Sequence, residues 1–176
     1  SLSVVLPHGG ADRTDLLQTT LTHLRQHSEI AETIVVELGE ESLLEDSVKS
    51  LATRYIFVKS HPPFHKARAL NAGLAIAASD TVCWFDNDLL AEKGFFSVAL
   101  QEMHQRSLDC LVPWHVVRCV SESASKELLQ GHSSCGELSS NQFKTHRGSK
   151  GGAVLLRRDF ALRCGGMREE FRGWGG

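Results

Sequence analysis

The sequence contains no run approaching the roughly 18 consecutive apolar residues that a membrane span requires, and no charged-then-apolar leader opens it. It begins with Ser1 in place of Met, as a processed or excised chain would. Neither charge is in excess: 19 Lys+Arg stand against 21 Asp+Glu, so no overall basic field argues for a nucleic-acid partner or an anionic membrane. The five cysteines are widely spaced and include no Cys-x-x-Cys pair, which excludes a zinc knuckle or dithiol redox motif. Scattered thiols in odd number suit a reducing, cytoplasmic setting, with at most a peripheral membrane association for the full-length protein. The nine histidines show no His-Glu-x-x-His or comparable zinc spacing. A nucleophile elbow, a hydrolase triad signature and internal repeats are also missing. What remains, 176 residues with 41% apolar and 23% charged, fits one ordinary globular domain.

Strand-like and helix-like patterns alternate along the first 117 residues. Leu2–Pro7 is a short β-branched run stopped by Gly9-Gly10, and a helical period follows in Leu16, Leu17, Thr20, Leu21 and Leu24, with Asp12 or Thr14 available as N-cap. Thr33–Leu38 and Tyr55–Val58 read as strands, with a helical stretch over 41–53 between them. Beyond Pro62-Pro63, Ala67–Ala78 places Ala69, Leu70, Gly73, Leu74 and Ala77 on one helical face. Thr81–Phe85 is a fourth strand, 94–106 a helix, and Cys110–Val117 a further apolar strand. The pattern predicts an α/β fold with a mostly parallel sheet covered on both faces, and ligands outside the carboxyl ends of its strands. Residues 121–150, polar and weakly periodic, read as a loop or lid with a short helix near Leu128. Gly152–Leu156 reads as a strand, Arg158–Cys164 as a helix, and the chain ends in a glycine-rich stretch with aromatic anchors.

The chemistry concentrates at Asp86-Asn87-Asp88, immediately after the apolar strand Val82-Cys-Trp-Phe85. Two carboxylates at a sheet's carboxyl edge suit a hard cation, Mn²⁺ or Mg²⁺, which prefers oxygen ligands. Such an ion neutralises charge on a departing diphosphate. The plain alternative is a solvated turn, in which Asp and Asn bond their own backbone.

Four segments together resemble a glycosyltransferase of the GT-A fold. Val4-Val-Leu-Pro7, Ile34-Val-Val-Glu37 and His65-Lys-Ala-Arg-Ala-Leu-Asn-Ala-Gly73 followed by Trp84-Phe-Asp-Asn-Asp88 are similar to the family-two inverting enzymes. Gly151-Gly-Ala-Val154 leading to Gly173-Trp-Gly-Gly176 is similar to the β-1,4-galactosyltransferase group and to bacterial chondroitin polymerases. The resemblance implies a three-layer GT-A domain over 1–176, with a nucleotide-sugar-binding half in 1–117 and the start of an acceptor-side half in 151–176. It implies donor contacts from Pro7, His8, Glu37, Lys66, Arg68, Asn71 and Asp86, with Asp86 and Asp88 as metal ligands. It also implies an acceptor glycan packed on Gly173, Trp174 and Gly175, the indole offering a flat face to a sugar ring.

The implied reaction is metal-dependent, inverting transfer of a hexose, N-acetylhexosamine or uronate from a UDP-sugar to a glycan. The expected base is a carboxylate following Gly176, so the catalytic residue lies past the end of this sequence. Departures from the resemblance are His8-Gly9-Gly10 after strand one and a lone Glu37 where consecutive Asp residues are usual. Two alternatives stand beside it: a nucleotide-sugar-binding domain without turnover, and a sugar-phosphate nucleotidyltransferase. The second usually carries a glycine-rich phosphate loop with a downstream basic residue, faintly echoed in His8-Gly-Gly-Ala-Asp-Arg13. Nothing in the residues speaks to oligomeric state.

Overall fold

The computed structural model describes residues 1–132, 135–148 and 151–171. Its centre is a sheet of order β3-β2-β1-β4-β8-β5. Strands β1 (Leu2–His8), β2 (Ile30–Gly39), β3 (Arg54–Lys59) and β4 (Thr81–Phe85) are mutually parallel. Strand β8 (Ala153–Arg157) runs antiparallel between β4 and the two-residue β5 (Cys110–Leu111). All seven residues of β1 are buried, which explains why its sequence is a continuous apolar run and not an alternation.

Alternate residues of the parallel strands feed two cores, one on each face of the sheet. Leu2, Val4, Leu6 and Val35 join Leu17, Leu21 and Leu24 of α1 (Thr14–Leu24) and Phe96, Ala99 and Met103 of α4 (Phe95–Gln105). Val5, Ile34, Val36 and Leu38 join Ala69, Leu70 and Leu74 of α3 (Lys66–Ile76) and Ala161 of α6 (Arg158–Arg163). The result is a three-layer arrangement, with helices on both faces of a mostly parallel central sheet. Helix α3 lies so close to β1 that a Cβ on Gly73 would sit 2.2 Å from Cγ1 of Val5.

Four stretches depart from the sequence reading. The helix expected over 41–53 is only the single turn α2 (Asp46–Lys49). The Leu43 and Leu44 N–H groups, which would open a longer helix, are instead taken by the Glu37 carboxylate. The strand expected over 110–117 is split around Pro113, which has no N–H for a ladder. Beyond it, β6 (Val116–Val120) pairs with β7 (Phe143–Arg147) in a separate two-stranded sheet. The stretch 121–150, expected as a loop or lid, therefore carries β7 and a two-turn helix α5 (Glu122–Leu129). Ser121 caps α5 by accepting the Ala124 N–H. The helix near Leu128 is present. Finally, α1 has no side-chain cap: Arg13 occupies that position, after a 3₁₀ turn at Ala11–Arg13.

Candidate functional site

The Asp86-Asn87-Asp88 turn follows β4 at the carboxyl edge of the sheet, beside the end of β1. It is anchored from several elements. The Asp86 N–H donates to the Gly152 carbonyl just before β8 at 2.7 Å. Thr20 of α1 donates its hydroxyl to the Asn87 carbonyl at 3.1 Å. Asn87 itself is turned into the protein, 5% exposed, and its amide donates to Nδ1 of His8 at 2.9 Å. With the middle residue buried, the flanking carboxylates of Asp86 and Asp88 stay partly exposed, at 30% and 42%.

Each carboxylate faces a cation from a different part of the chain. Lys66, the first residue of α3, pairs with Asp86. Arg13, closing the 3₁₀ turn after β1, pairs with Asp88. Partly exposed pairs of this kind contribute about 0–1 kcal/mol, so they can be exchanged for stronger partners. Arg68, also expected at the donor, lies exposed on α3 between buried Ala67 and Ala69.

His8 is 1% exposed and its imidazole is held neutral: burial pushes its pKa below the ordinary 6.5, and Arg13 adds to this, against Glu37 and Asp12. Since Nδ1 accepts from Asn87, the proton sits on Nε2, which has no partner among the described residues. Pro7, opposite Val36 in the β1–β2 register, completes the buried end of the strand.

Two residues expected to contact the donor have their polar groups engaged inside the protein. Glu37, 2% exposed, accepts from the Tyr55 hydroxyl, from Ser42 at 2.9 Å, and from the Leu43 and Leu44 N–H groups. Burial alone would raise its pKa, but those donors outweigh it and leave the carboxyl below its ordinary 4.5. The same contact, after burial, helps push Tyr55 up to about 12. Glu37 thus orders the 42–44 turn. Asn71 donates to the Met167 carbonyl and to Glu169, both at 2.9 Å, and accepts the Met167 N–H at 2.7 Å. It docks the segment after α6 onto α3, and a Cβ on Gly166 would strike its Oδ1 at 2.3 Å. Gly173, Trp174 and Gly175 lie outside the described residues.

The donor set suits a divalent ion shared with a ligand. Among the described residues no group of three or more His, Cys, Asp or Glu gathers to hold a metal without help. Magnesium-type ions are commonly held by one or two carboxylates together with substrate phosphates and water, and Asp86 with Asp88 offers that. Zinc, with its need for several nitrogen or sulfur ligands, finds no such set among the described residues.

The family model for glycosyl transferase family 2 matches residues 3–167. The chain belongs to that family. As a family 2 glycosyltransferase chain it shares its fold with several solved structures. One is the mannosyltransferase PcManGT from Pyrobaculum calidifontis in complex with GDP-Man and Mn²⁺, at TM-score 0.58 and 17% identity over 96% of this chain and 48% of that one. Another is S. aureus TarS 1–349, at TM-score 0.60 and 13% identity over 98% and 52%. CMP:2-keto-3-deoxy-manno-octonic acid synthetase complexed with CTP also matches, at TM-score 0.54 and 13% identity over 94% and 77%. The chain spans about half the length of PcManGT and of the TarS chain. No curated protein sequence registers as a relative. No helix among the described residues of this glycosyltransferase chain is long and apolar enough to cross a membrane.

The residue that sequence reasoning passed over is Arg13. Its signal was the basic position downstream of Gly9-Gly10, read there as an echo of a phosphate loop. Its pairing with Asp88 joins positions 75 residues apart and is visible only in the fold.

Proposed function

We propose that this chain is the donor-binding part of a metal-dependent, inverting glycosyltransferase that moves a sugar from a UDP-sugar to a glycan. The observation that carries the reading is the pair of partly exposed carboxylates, Asp86 and Asp88, fixed at the sheet's carboxyl edge with Lys66 and Arg13 beside them. A bound Mn²⁺ or Mg²⁺ would supply charge neutralisation for the departing diphosphate. Asp86 and Asp88 would hold it, and Asn87, tied to His8, keeps their backbone from drifting as ligands exchange. Lys66 places a positive charge next to the same position.

In this reading His8 and Pro7 form the floor under the nucleoside, and Glu37 acts through the 42–44 turn it orders. Arg68 contributes from the exposed face of α3, and Asn71 by holding the segment after α6 in place. Gly173, Trp174 and Gly175 receive the acceptor, and the base is a carboxylate following Gly176. The chain is one GT-A domain in which 1–117 binds the donor, 121–150 borders it and 151–176 opens the acceptor side. A single displacement requires no nucleophilic side chain of the protein.

The test is calorimetric titration of UDP in Mn²⁺ and in EDTA, on wild type and Asp88→Ala. Binding that needs both the ion and Asp88 is expected. Equal affinity in all four conditions overturns the reading, and pyrophosphate release from UTP with a sugar phosphate would replace it with nucleotidyl transfer.

A further inference from the structure

The two ion pairs at the turn leave the site electrically closed: Lys66 and Arg13 cancel Asp86 and Asp88. Each cation meets one oxygen of its carboxylate, Oδ1 of Asp86 and Oδ2 of Asp88, so a divalent ion arriving at the pair is opposed by two nearby positive charges until these turn to another anion. We propose that Arg13 is a diphosphate-binding residue held in reserve on Asp88, moving onto the donor's diphosphate when the carboxylate takes a divalent ion. Metal and nucleotide then strengthen each other's binding. The inference rests on the donor-binding reading above and adds to it a residue and a coupling.

Several features of Arg13 single it out. Its guanidinium reaches Asp88 through one terminal nitrogen, while its Nε is buried with no acceptor among the described residues. Half of a planar fork is therefore idle, and that fork matches two oxygens of a phosphate better than the single carboxylate oxygen it now meets. The side chain is 38% exposed and its partner 42%, so the pair can open without disturbing the core. Arg13 also comes from the 3₁₀ turn directly after Gly9 and Gly10. Gly10 has a φ of 84°, and a Cβ there would meet Asp12 Oδ1 at 2.6 Å. That turn brings the guanidinium to Asp88, and Gly9 before it is held small by Phe64, whose Cδ2 a Cβ there would meet at 2.5 Å.

Because coupling between two ligands is reciprocal, the exchange makes a definite forecast: the metal must raise UDP affinity by the factor by which UDP raises metal affinity. Calorimetry would measure Mn²⁺ alone, UDP alone, and UDP at saturating Mn²⁺, for wild type, Arg13→Gln and Arg13→Lys, with circular dichroism as a check on folding. Arg13→Gln frees Asp88, so Mn²⁺ alone binds more tightly. It also removes a diphosphate contact, so UDP in Mn²⁺ binds more weakly, by a factor within the roughly 5–150-fold range of such couplings.

Arg13→Lys keeps the charge and loses the fork, so Mn²⁺ alone is unchanged while UDP in Mn²⁺ weakens severalfold. This variant carries the test if the Gln variant does not fold. Unchanged UDP affinity in Mn²⁺ for Arg13→Gln or for Arg13→Lys overturns the exchange, as does weaker Mn²⁺ binding by Arg13→Gln. If Asp88→Ala abolishes Mn²⁺-dependent binding while the Arg13 variants track wild type, only the exchange falls. If wild type binds UDP independently of Mn²⁺ and Asp88, the donor-site reading and the exchange fall together.

Discussion

Asn87 donates its side-chain amide to Nδ1 of His8 at 2.9 Å, which fastens the centre of the acidic turn to the last residue of the central strand. Both side chains are almost wholly buried, so the bond cannot be replaced by water without rearrangement. Asn87→Ala leaves the imidazole acceptor unpaired, which costs about 1–3 kcal/mol. A fall in Tm of roughly 2–4 °C per kcal/mol is expected for a chain of this size. Scanning calorimetry measures it, and Mn²⁺ affinity should fall in the same variant because the turn carrying Asp86 and Asp88 loses its side-chain tie to β1, keeping only the backbone contacts to Gly152 and Thr20.

Acid should loosen the 42–44 turn through Glu37. Its carboxyl has a folded pKa below 4.5, so its contribution to stability is whole above pH 4.5 and is lost as the pH falls through the folded value. Glu37→Gln removes that dependence. Thermal melts from pH 7 to pH 3 should show wild type and variant furthest apart at the upper end and converging in acid. A constant gap would mean that the carboxylate's charge is irrelevant.

Gly73→Ala should destabilise the layer between α3 and β1. The added methyl would approach Val5 Cγ1 to 2.2 Å, and overpacking of this kind costs about 1–3 kcal/mol. Urea midpoints report it. Val5→Ala in the same chain should recover part of the loss, since two residues in contact do not add independently.

Removing metal should leave the fold intact. Lys66 and Arg13 already neutralise the carboxylates, so wild type in EDTA and in Mn²⁺ should give the same far-UV circular dichroism, and Mn²⁺ without nucleotide should raise Tm far less than Mn²⁺ with UDP. Addition of UDP should raise Tm only in Mn²⁺, because only a ligand of the native state shifts the equilibrium.

The sheet was readable in the residues where its strands are buried on both faces and so stand out as apolar runs: β4 occupies Thr81–Phe85 as expected, and β1 extends one residue past Pro7. The acidic turn was readable for the same reason, as charge placed directly after such a run. What escaped was set by contacts between distant positions. The shortened helix at Asp46–Lys49 follows from Glu37 capturing the Leu43 and Leu44 N–H groups. The pairing of β6 with β7 joins segments whose exposed, polar faces carry little periodicity. Asn71 and Arg13 found partners 96 and 75 residues away, which no local pattern encodes.

The Asp86 N–H meets the Gly152 carbonyl at 2.7 Å, so the chain leaves the acidic turn and comes back to it at almost the same point. Within the span between these two points, α4 returns to the core through Phe96, Ala99 and Met103, whereas β6 and β7 pair only with each other, in a sheet of their own. Exchanges along the outer faces of the β6–β7 ribbon can therefore reshape the neighbouring surface while the carboxylate spacing stays as it is.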